Sequence, residues 1–261
     1  MALADEFDGF LVDLDGVVWI GREPVPGSIA ALQALIESGK EIVFVTNNPA
    51  RPPSTYVNRL RGMGVPVPDG RVVTAGVVTA ELAANAAGAG CKAFVIGAPG
   101  FKETVAEAGL ELLEGEPART ADAVLVSGHR GFDYEELLTA TLALQGGAAL
   151  FATSHDPTLP MPGGDWPGTG AVLAAVETAS GKRAEIGGKP ERHLFEQARA
   201  LIPSAERVAM AGDRLASDIA GGHRAGLETV LVLSGASSRA EAEAAGPAPD
   251  HVIEDLAGLL S

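Results

Sequence analysis

Short apolar runs alternate along the whole chain with longer segments in which apolar residues recur every three or four positions. The short runs fit strands buried on both faces and the longer segments fit amphipathic helices, so the alternation predicts parallel βαβ units. Phe10–Leu14 reads as the first strand, residues 29–36 as a helix stopped before Gly39, and Glu41–Val45 as a second strand ending on Thr46-Asn47-Asn48-Pro49. Ser54 is placed to cap a helix running to Arg61, followed by a strand over Val72–Thr74, a helix over Val77–Ala87 and a strand over Ala93–Ile96.

The middle of the chain repeats the pattern with strands over Ala123–Val126 and Ala149–Ala152 and a helix over Tyr134–Gln145, enough for a sheet of its own. A Pro- and Gly-rich stretch from Asp156 to Gly170 predicts a loop, leading into a helix from Ala171 that closes near Gly181. The alternation then resumes: helix Leu194–Leu201, strand Val208–Ala211, helix Asp218–Ala225, strand Thr229–Val232, and short helices over 240–245 and 256–260. No internal repeat of solenoid length is present.

Composition narrows the setting. The 261 residues are 46% hydrophobic, room for one large α/β domain or two smaller ones. Nineteen basic against thirty-four acidic residues give a net charge of −15, without the positive footprint that holds a nucleic-acid backbone, so no nucleic-acid partner is expected. No apolar run approaches the ~20 residues that span a bilayer, and the first six residues lack a basic leader, so a cytoplasmic protein with no membrane partner is expected. The single Cys91 reads as a small core hydrophobe.

The candidate chemistry stands at the ends of the expected strands. Asp13-Leu14-Asp15-Gly16 follows the first apolar run, which places two carboxylates where open α/β sheets bind ligands. Side chains two apart in a strand share a face, so Asp13 and Asp15 face one ligand if the strand continues and diverge if Gly16 begins a turn. Alone, the tetrapeptide also reads as a plain Asp-Gly turn. Thr46-Asn47-Asn48 adds a hydroxyl and backbone amides, Gly188-Lys189-Pro190 a cation, and Gly212-Asp213-Arg214 with Asp218 two further acids. Acids and a glycine in this arrangement suggest a metal and an anion.

One apparent signature is a decoy. Gly88 to Ala93 satisfies a dinucleotide fingerprint but precedes an expected strand instead of following one. No Gly-rich segment ends in Lys-Ser or Lys-Thr, which excludes a P-loop nucleoside triphosphatase. His129, His193, His223 and His251 show no metal-ligand spacing and read as structural or solvated.

In order, Asp13-Leu14-Asp15-Gly16, Thr46-Asn47-Asn48, Lys189 and Gly212-Asp213 with Asp218 resemble the four motifs of the haloacid dehalogenase superfamily, and more narrowly its NagD-like class IIA phosphatases. The resemblance covers essentially the whole chain. It implies a Rossmann-like three-layer α/β core from residues 1–77 and 184–261, with a smaller α/β cap inserted over 78–183 that closes over the site and selects the substrate. By resemblance, Asp13 would be a nucleophile forming an aspartyl phosphate and Asp15 the general acid and base. Thr46, Asn47 and Lys189 would hold phosphate, while Asp13, the Asp15 backbone carbonyl and Asp213 would bind Mg²⁺, with Asp218 holding a metal-bound water or the lysine.

In the cap, Thr153-Ser154-His155-Asp156 stands where many relatives read Thr-Asn-Pro-Asp, making His155 and Asp156 the candidates for substrate contact. The implied activity is Mg²⁺-dependent hydrolysis of a small phosphorylated metabolite, such as phosphoglycolate, glycerol phosphate, a sugar phosphate or a nucleoside monophosphate, by a homodimer formed through the cap. The other reading of the same residues is a phosphate-binding or phospho-accepting regulator without turnover. Asp15 and Lys189 argue for the enzyme over the regulator.

Overall fold

The computed structural model describes residues 2–88, 90–161 and 164–261. The chain divides into two compact units, one made of Met1–Thr46, Pro53–Val73 and Lys189–Ser261, the other of Asn47–Pro52 and Thr74–Gly188. The insertion expected over residues 78–183 falls within the second.

The first unit is built on a six-stranded sheet in the order His251–Ile253, Glu228–Val232, Val208–Gly212, Gly9–Asp13, Glu41–Thr46, Val72–Thr74. Gly9–Asp13 pairs in parallel with both neighbours, Val12 opposite Ala211 on one side and Asp13 opposite Val45 on the other. Every residue of the Gly9–Asp13 and Val208–Gly212 strands is buried, the pattern of strands covered on both faces. The Ser28–Glu37 helix buries Ala31, Leu32 and Leu35, one apolar stripe at i, i+1 and i+4, and the Arg192–Ala200 helix buries Leu194, Phe195 and Ala198 in the same manner. Phe10, Val12 and Phe44 join Trp19, Leu32, Leu35 and Leu60 in one core cluster.

The second unit holds a five-stranded sheet in the order Glu185–Ile186, Ala149–Ala152, Ala123–Val126, Lys92–Ile96, Glu111–Leu112, every pair parallel. Helices Ala75–Ala87, Pro99–Glu107, Tyr134–Gln145 and Thr169–Ser180 accompany it. Asp133 caps the Tyr134 helix by accepting from the Glu136 amide at 2.9 Å, and Gly181 ends the Thr169 helix at a left-handed φ of 70°.

Three sequence expectations are corrected. Within the expected Asp156–Gly170 loop, Thr158–Met161 and Gly164–Pro167 pair as an antiparallel hairpin, because a two-stranded ribbon has outward-facing positions that tolerate proline. The expected Asp218–Ala225 helix is instead a wide π-helical turn over Leu215–Ile219 followed by an α-helix over Ala220–Arg224. The first strand stops at Asp13, not Leu14, since Gly16 takes φ +92° and turns the chain. Pro99–Glu107, led by a proline in its first turn, and the edge strand His251–Ile253 were not expected.

Candidate active site

Three adjacent strands of the first unit end on the candidate residues. Asp13 is the last residue of its strand, Thr46 is the last of the neighbouring strand, and Asp213 follows Gly212 at the end of the strand on the other side. Parallel pairing aligns the carboxyl ends, so residues far apart in sequence converge on one edge of the sheet.

Asp218 arrives from the π-helical turn. The Arg214 carbonyl accepts from the Asp218 and Ile219 amides at 2.9 and 3.2 Å, while the Arg214 amide donates back to Asp218 Oδ2 at 3.0 Å. Asp218 is fully buried on this widened turn, a feature frequent at functional sites. Gly212 leaves room for it, because a Cβ there would collide with the Asp218 carboxyl.

Lys189 closes the group. Its Nζ lies 2.5 Å from Asp13 Oδ1 and 2.7 Å from Asp218 Oδ1. Asp13, Lys189, Asp213 and Asp218 are all buried, none more than 6% exposed. One ligand oxygen each from Asp13, Asp213 and Asp218 fall within 4.8 Å of one another. Three carboxylates against one ammonium leave negative charge in a desolvated site, which such a site holds only with a further cation or a bound proton.

The protonation energetics follow. Burial pushes the Asp13 carboxyl well above the usual range, Lys189 pulls it back, and the charges of Asp218 and Asp213 raise it further. Burial works against the Lys189 charge, but Asp13 and Asp218 outweigh it and hold the ammonium above its ordinary value. Asp213 is raised to about 6 by burial and then by Asp218, against the Ala236 amide and the charges of Arg214 and Lys189.

The donor set fits a hard divalent cation. Asp213 Oδ2 accepts from the Ala236 amide at 2.7 Å, whereas Oδ1 is buried with no hydrogen-bond partner among the described residues. A buried carboxylate oxygen without a donor is a ligand atom in waiting. Gly16 and Gly235 cradle Asp213, since a Cβ at either position would strike its carboxyl.

The remaining candidates fall in two places. In the first unit, Asp15 is exposed, two residues past the strand end at Asp13, and its Oδ1 accepts from the Trp19 indole at 2.9 Å. In the second unit, the Asn47 side-chain amide donates to Asp156 Oδ2 at 3.2 Å. His155 is exposed there, and its carbonyl packs close against Gly170. Among the described residues no histidine joins a group of three metal-ligating side chains; His129 pairs with Glu136 at 2.8 Å, His223 with Asp250 at 3.0 Å and His251 with Glu228 at 3.4 Å.

Sequence reasoning missed the Ser234-Gly235-Ala236 turn, which lies beyond the Glu228–Val232 strand and supplies both the Asp213 hydrogen bond and a bond from the Ser234 hydroxyl to the Gly16 carbonyl at 2.7 Å. The available signal was its position past the carboxyl end of the strand beside Val208–Gly212. Trp19 was missed as well, although a tryptophan four residues after Asp15 carries a donor that needs an acceptor when buried.

Comparison with known proteins gives concordant results. Residues 10–111 match the family described as haloacid dehalogenase-like hydrolase, and residues 186–259 the family described as HAD-hydrolase-like. A glycerol-3-phosphate phosphatase of Gallus gallus is 35% identical, covering 99% of this chain and 93% of its own. A 5'-nucleotidase of Bacillus subtilis is 32% identical, covering 96% of each. Among solved structures, a glycerol phosphate phosphatase from Mycobacterium tuberculosis in complex with magnesium superposes with a TM-score of 0.89 at 32% identity, covering 99% of this chain and 78% of that one.

Proposed function

The chain belongs to the haloacid dehalogenase-like hydrolases, and from that membership we propose that it is a Mg²⁺-dependent phosphatase that hydrolyses small phosphomonoesters through an aspartyl phosphate on Asp13. The observation that carries this reading is the meeting of Asp13, Asp213 and Asp218 with the Lys189 ammonium at the carboxyl edge of one sheet. The names of the relatives, which include glycerol phosphate phosphatases and a nucleotidase, support the substrate class.

A phosphate monoester repels an incoming carboxylate, so charge neutralisation and alignment carry most of the catalysis. Asp13, Asp213 and Asp218, with the backbone carbonyl of Asp15, would hold Mg²⁺. When bound, that ion supplies positive charge against the phosphoryl oxygens and against the acids themselves. Lys189 opposes the burial that favours a protonated Asp13 and offers a donor to phosphate. The hydroxyl of Thr46 and the amide of Asn47 bind the remaining phosphoryl oxygens. Asp13 attacks phosphorus as the bond to the leaving oxygen breaks, and Asp15 gives that oxygen its proton. Asp15 then takes a proton from water as water displaces the phosphoryl group from Asp13. Splitting hydrolysis in this way replaces one hard step with two easier ones.

The second unit, with Asn47 and Asp156 joined and His155 exposed beside them, acts in this reading as the cap that selects the substrate. A cytoplasmic homodimer formed through that unit completes the proposal, and a monomer by light scattering at working concentration would remove the dimer. No helix among the described residues is long and apolar enough to cross a membrane.

The test is phosphate release from a panel of glycerol phosphate, phosphoglycolate, sugar phosphates and nucleoside monophosphates, with Mg²⁺ and with EDTA. Wild type should turn over at least one of them with Mg²⁺ only. An inactive wild type, or activity untouched by EDTA, defeats the reading.

A further inference from the structure

Trp19 is the largest side chain with no solvent exposure among the described residues, and it opens the two-residue strand Trp19–Ile20 shortly after the strand that ends on Asp13. An indole N–H donates and cannot accept, and burying it without an acceptor costs free energy. Its acceptor is Oδ1 of Asp15, at 2.9 Å. A core tryptophan thus spends its one polar atom on the exposed carboxyl that the proposed reaction uses for proton transfer.

Several groups fix the indole. The backbones of Asp15 and Trp19 form a β-bridge, closed by the Gly16 amide donating to the Trp19 carbonyl at 2.8 Å. The Tyr56 ring stacks parallel to the indole within 6°, with centroids 6.5 Å apart. The Arg59 guanidinium lies 3.9 Å from the indole centroid and is held in turn by its Nη2 donating to the Gly21 carbonyl at 2.7 Å. A cation over the ring favours its electron-rich face and polarises the indole N–H toward an anion.

We propose that Trp19 is a positioning residue for Asp15, holding Oδ1 as a hydrogen-bond acceptor so that Oδ2 is the oxygen that delivers and recovers the proton. This rests on the reading of Asp15 as the general acid and base. An exposed carboxyl otherwise samples several rotamers and offers either oxygen, whereas proton transfer needs one oxygen within hydrogen-bond reach of the leaving group. With Oδ1 engaged by a donor, the acid's proton resides on Oδ2. As the phosphorus–oxygen bond breaks and its electron pair goes to the leaving oxygen, that proton passes from Oδ2 to the same oxygen. In the second half, Oδ2 takes a proton from water while the water oxygen bonds to phosphorus, and the electron pair of the broken bond returns to the Asp13 carboxylate.

Trp19→Phe keeps a ring and removes the donor, and the leaving group reports which role was lost. Glycerol phosphate releases a strongly basic alkoxide that needs the proton; 4-nitrophenyl phosphate releases a weakly basic phenolate that does not. The expected result is a fall in kcat of roughly 10-fold or more on glycerol phosphate, with less than about 3-fold on 4-nitrophenyl phosphate and little change in either KM. Equal losses on the two substrates would mean that Trp19 acts only as packing, and would overturn the inference while leaving the phosphatase reading intact. A wild type inactive on these two and on the whole phosphomonoester panel would defeat that reading itself.

A second measurement does not depend on activity or on the stability of the Trp19 variant. The chain has two tryptophans, whose indole ¹H–¹⁵N resonances are assigned with Trp166→Phe. Asp15→Ala in metal-free protein should move the Trp19 resonance upfield and leave that of Trp166 in place. An unmoved Trp19 resonance would contradict the bond on which the inference stands.

Discussion

Lys189 Nζ donates to Asp13 Oδ1 at 2.5 Å across 176 residues of sequence, and both side chains are buried. The contact joins the start of the last chain segment of the first unit to the end of its central strand. The same ammonium reaches Asp218, so one cation restrains two carboxylates that would otherwise repel each other.

Lys189→Met would leave Asp13 and Asp218 buried without their counter-charge. Removing one partner of a buried pair costs about 3–5 kcal/mol, and urea denaturation in EDTA should show a loss of that order. Mg²⁺ should restore part of it, because a cation at the three acids screens the same repulsion. A variant as stable as wild type in EDTA would show that the acids are neutral without the lysine.

The protonation of Asp213 sets a pH dependence. Its folded value of about 6 lies above the ordinary 3.8, so the folded chain holds more proton than the unfolded chain between them. This group's contribution to stability is therefore fully present below the lower value and is lost as pH rises through the upper one. Mg²⁺ competes with that proton. The rise in Tm on adding Mg²⁺ should accordingly be small near pH ~5 and grow to a plateau above pH ~7. A rise of constant size across that range would contradict this account of Asp213.

Gly235→Ala tests the cradle. Its Cβ would strike the Asp213 carboxyl, while the position carries no left-handed backbone requirement. Displacing Asp213 should weaken Mg²⁺ binding by roughly 10-fold or more in a calorimetric titration, an effect the size of losing an outer-sphere support of a ligand. Unchanged affinity would remove Asp213 from the metal set.

The parallel architecture and the order of the candidate motifs were legible because doubly covered strands leave short apolar runs, such as Phe10-Leu11-Val12, with polar residues at their carboxyl ends. Alternation left open whether Asp13 and Asp15 share a ligand. The positive φ of Gly16 shows only that the chain turns after the strand ends at Asp13, and one Asp-Gly pair is compatible with either path. The π-helical turn at Asp218 was invisible because its residues are compatible with an α-helix and the widening depends on Arg214 contacts. The Thr158–Pro167 hairpin was hidden by prolines and glycines, which mark loops and edge ribbons alike.

The central claim is that Asp13 carries the phosphoryl group. Wild type should be quenched in acid during turnover of a good phosphomonoester with Mg²⁺ and treated with borohydride, which reduces an acyl phosphate to an alcohol. Peptide mass spectrometry should then find homoserine at position 13, and Asp13→Asn should show neither the modification nor phosphate release beyond roughly a thousandth of wild type. An Asp13→Asn variant that still turns over, or reduction found at Asp15 instead, would contradict the account.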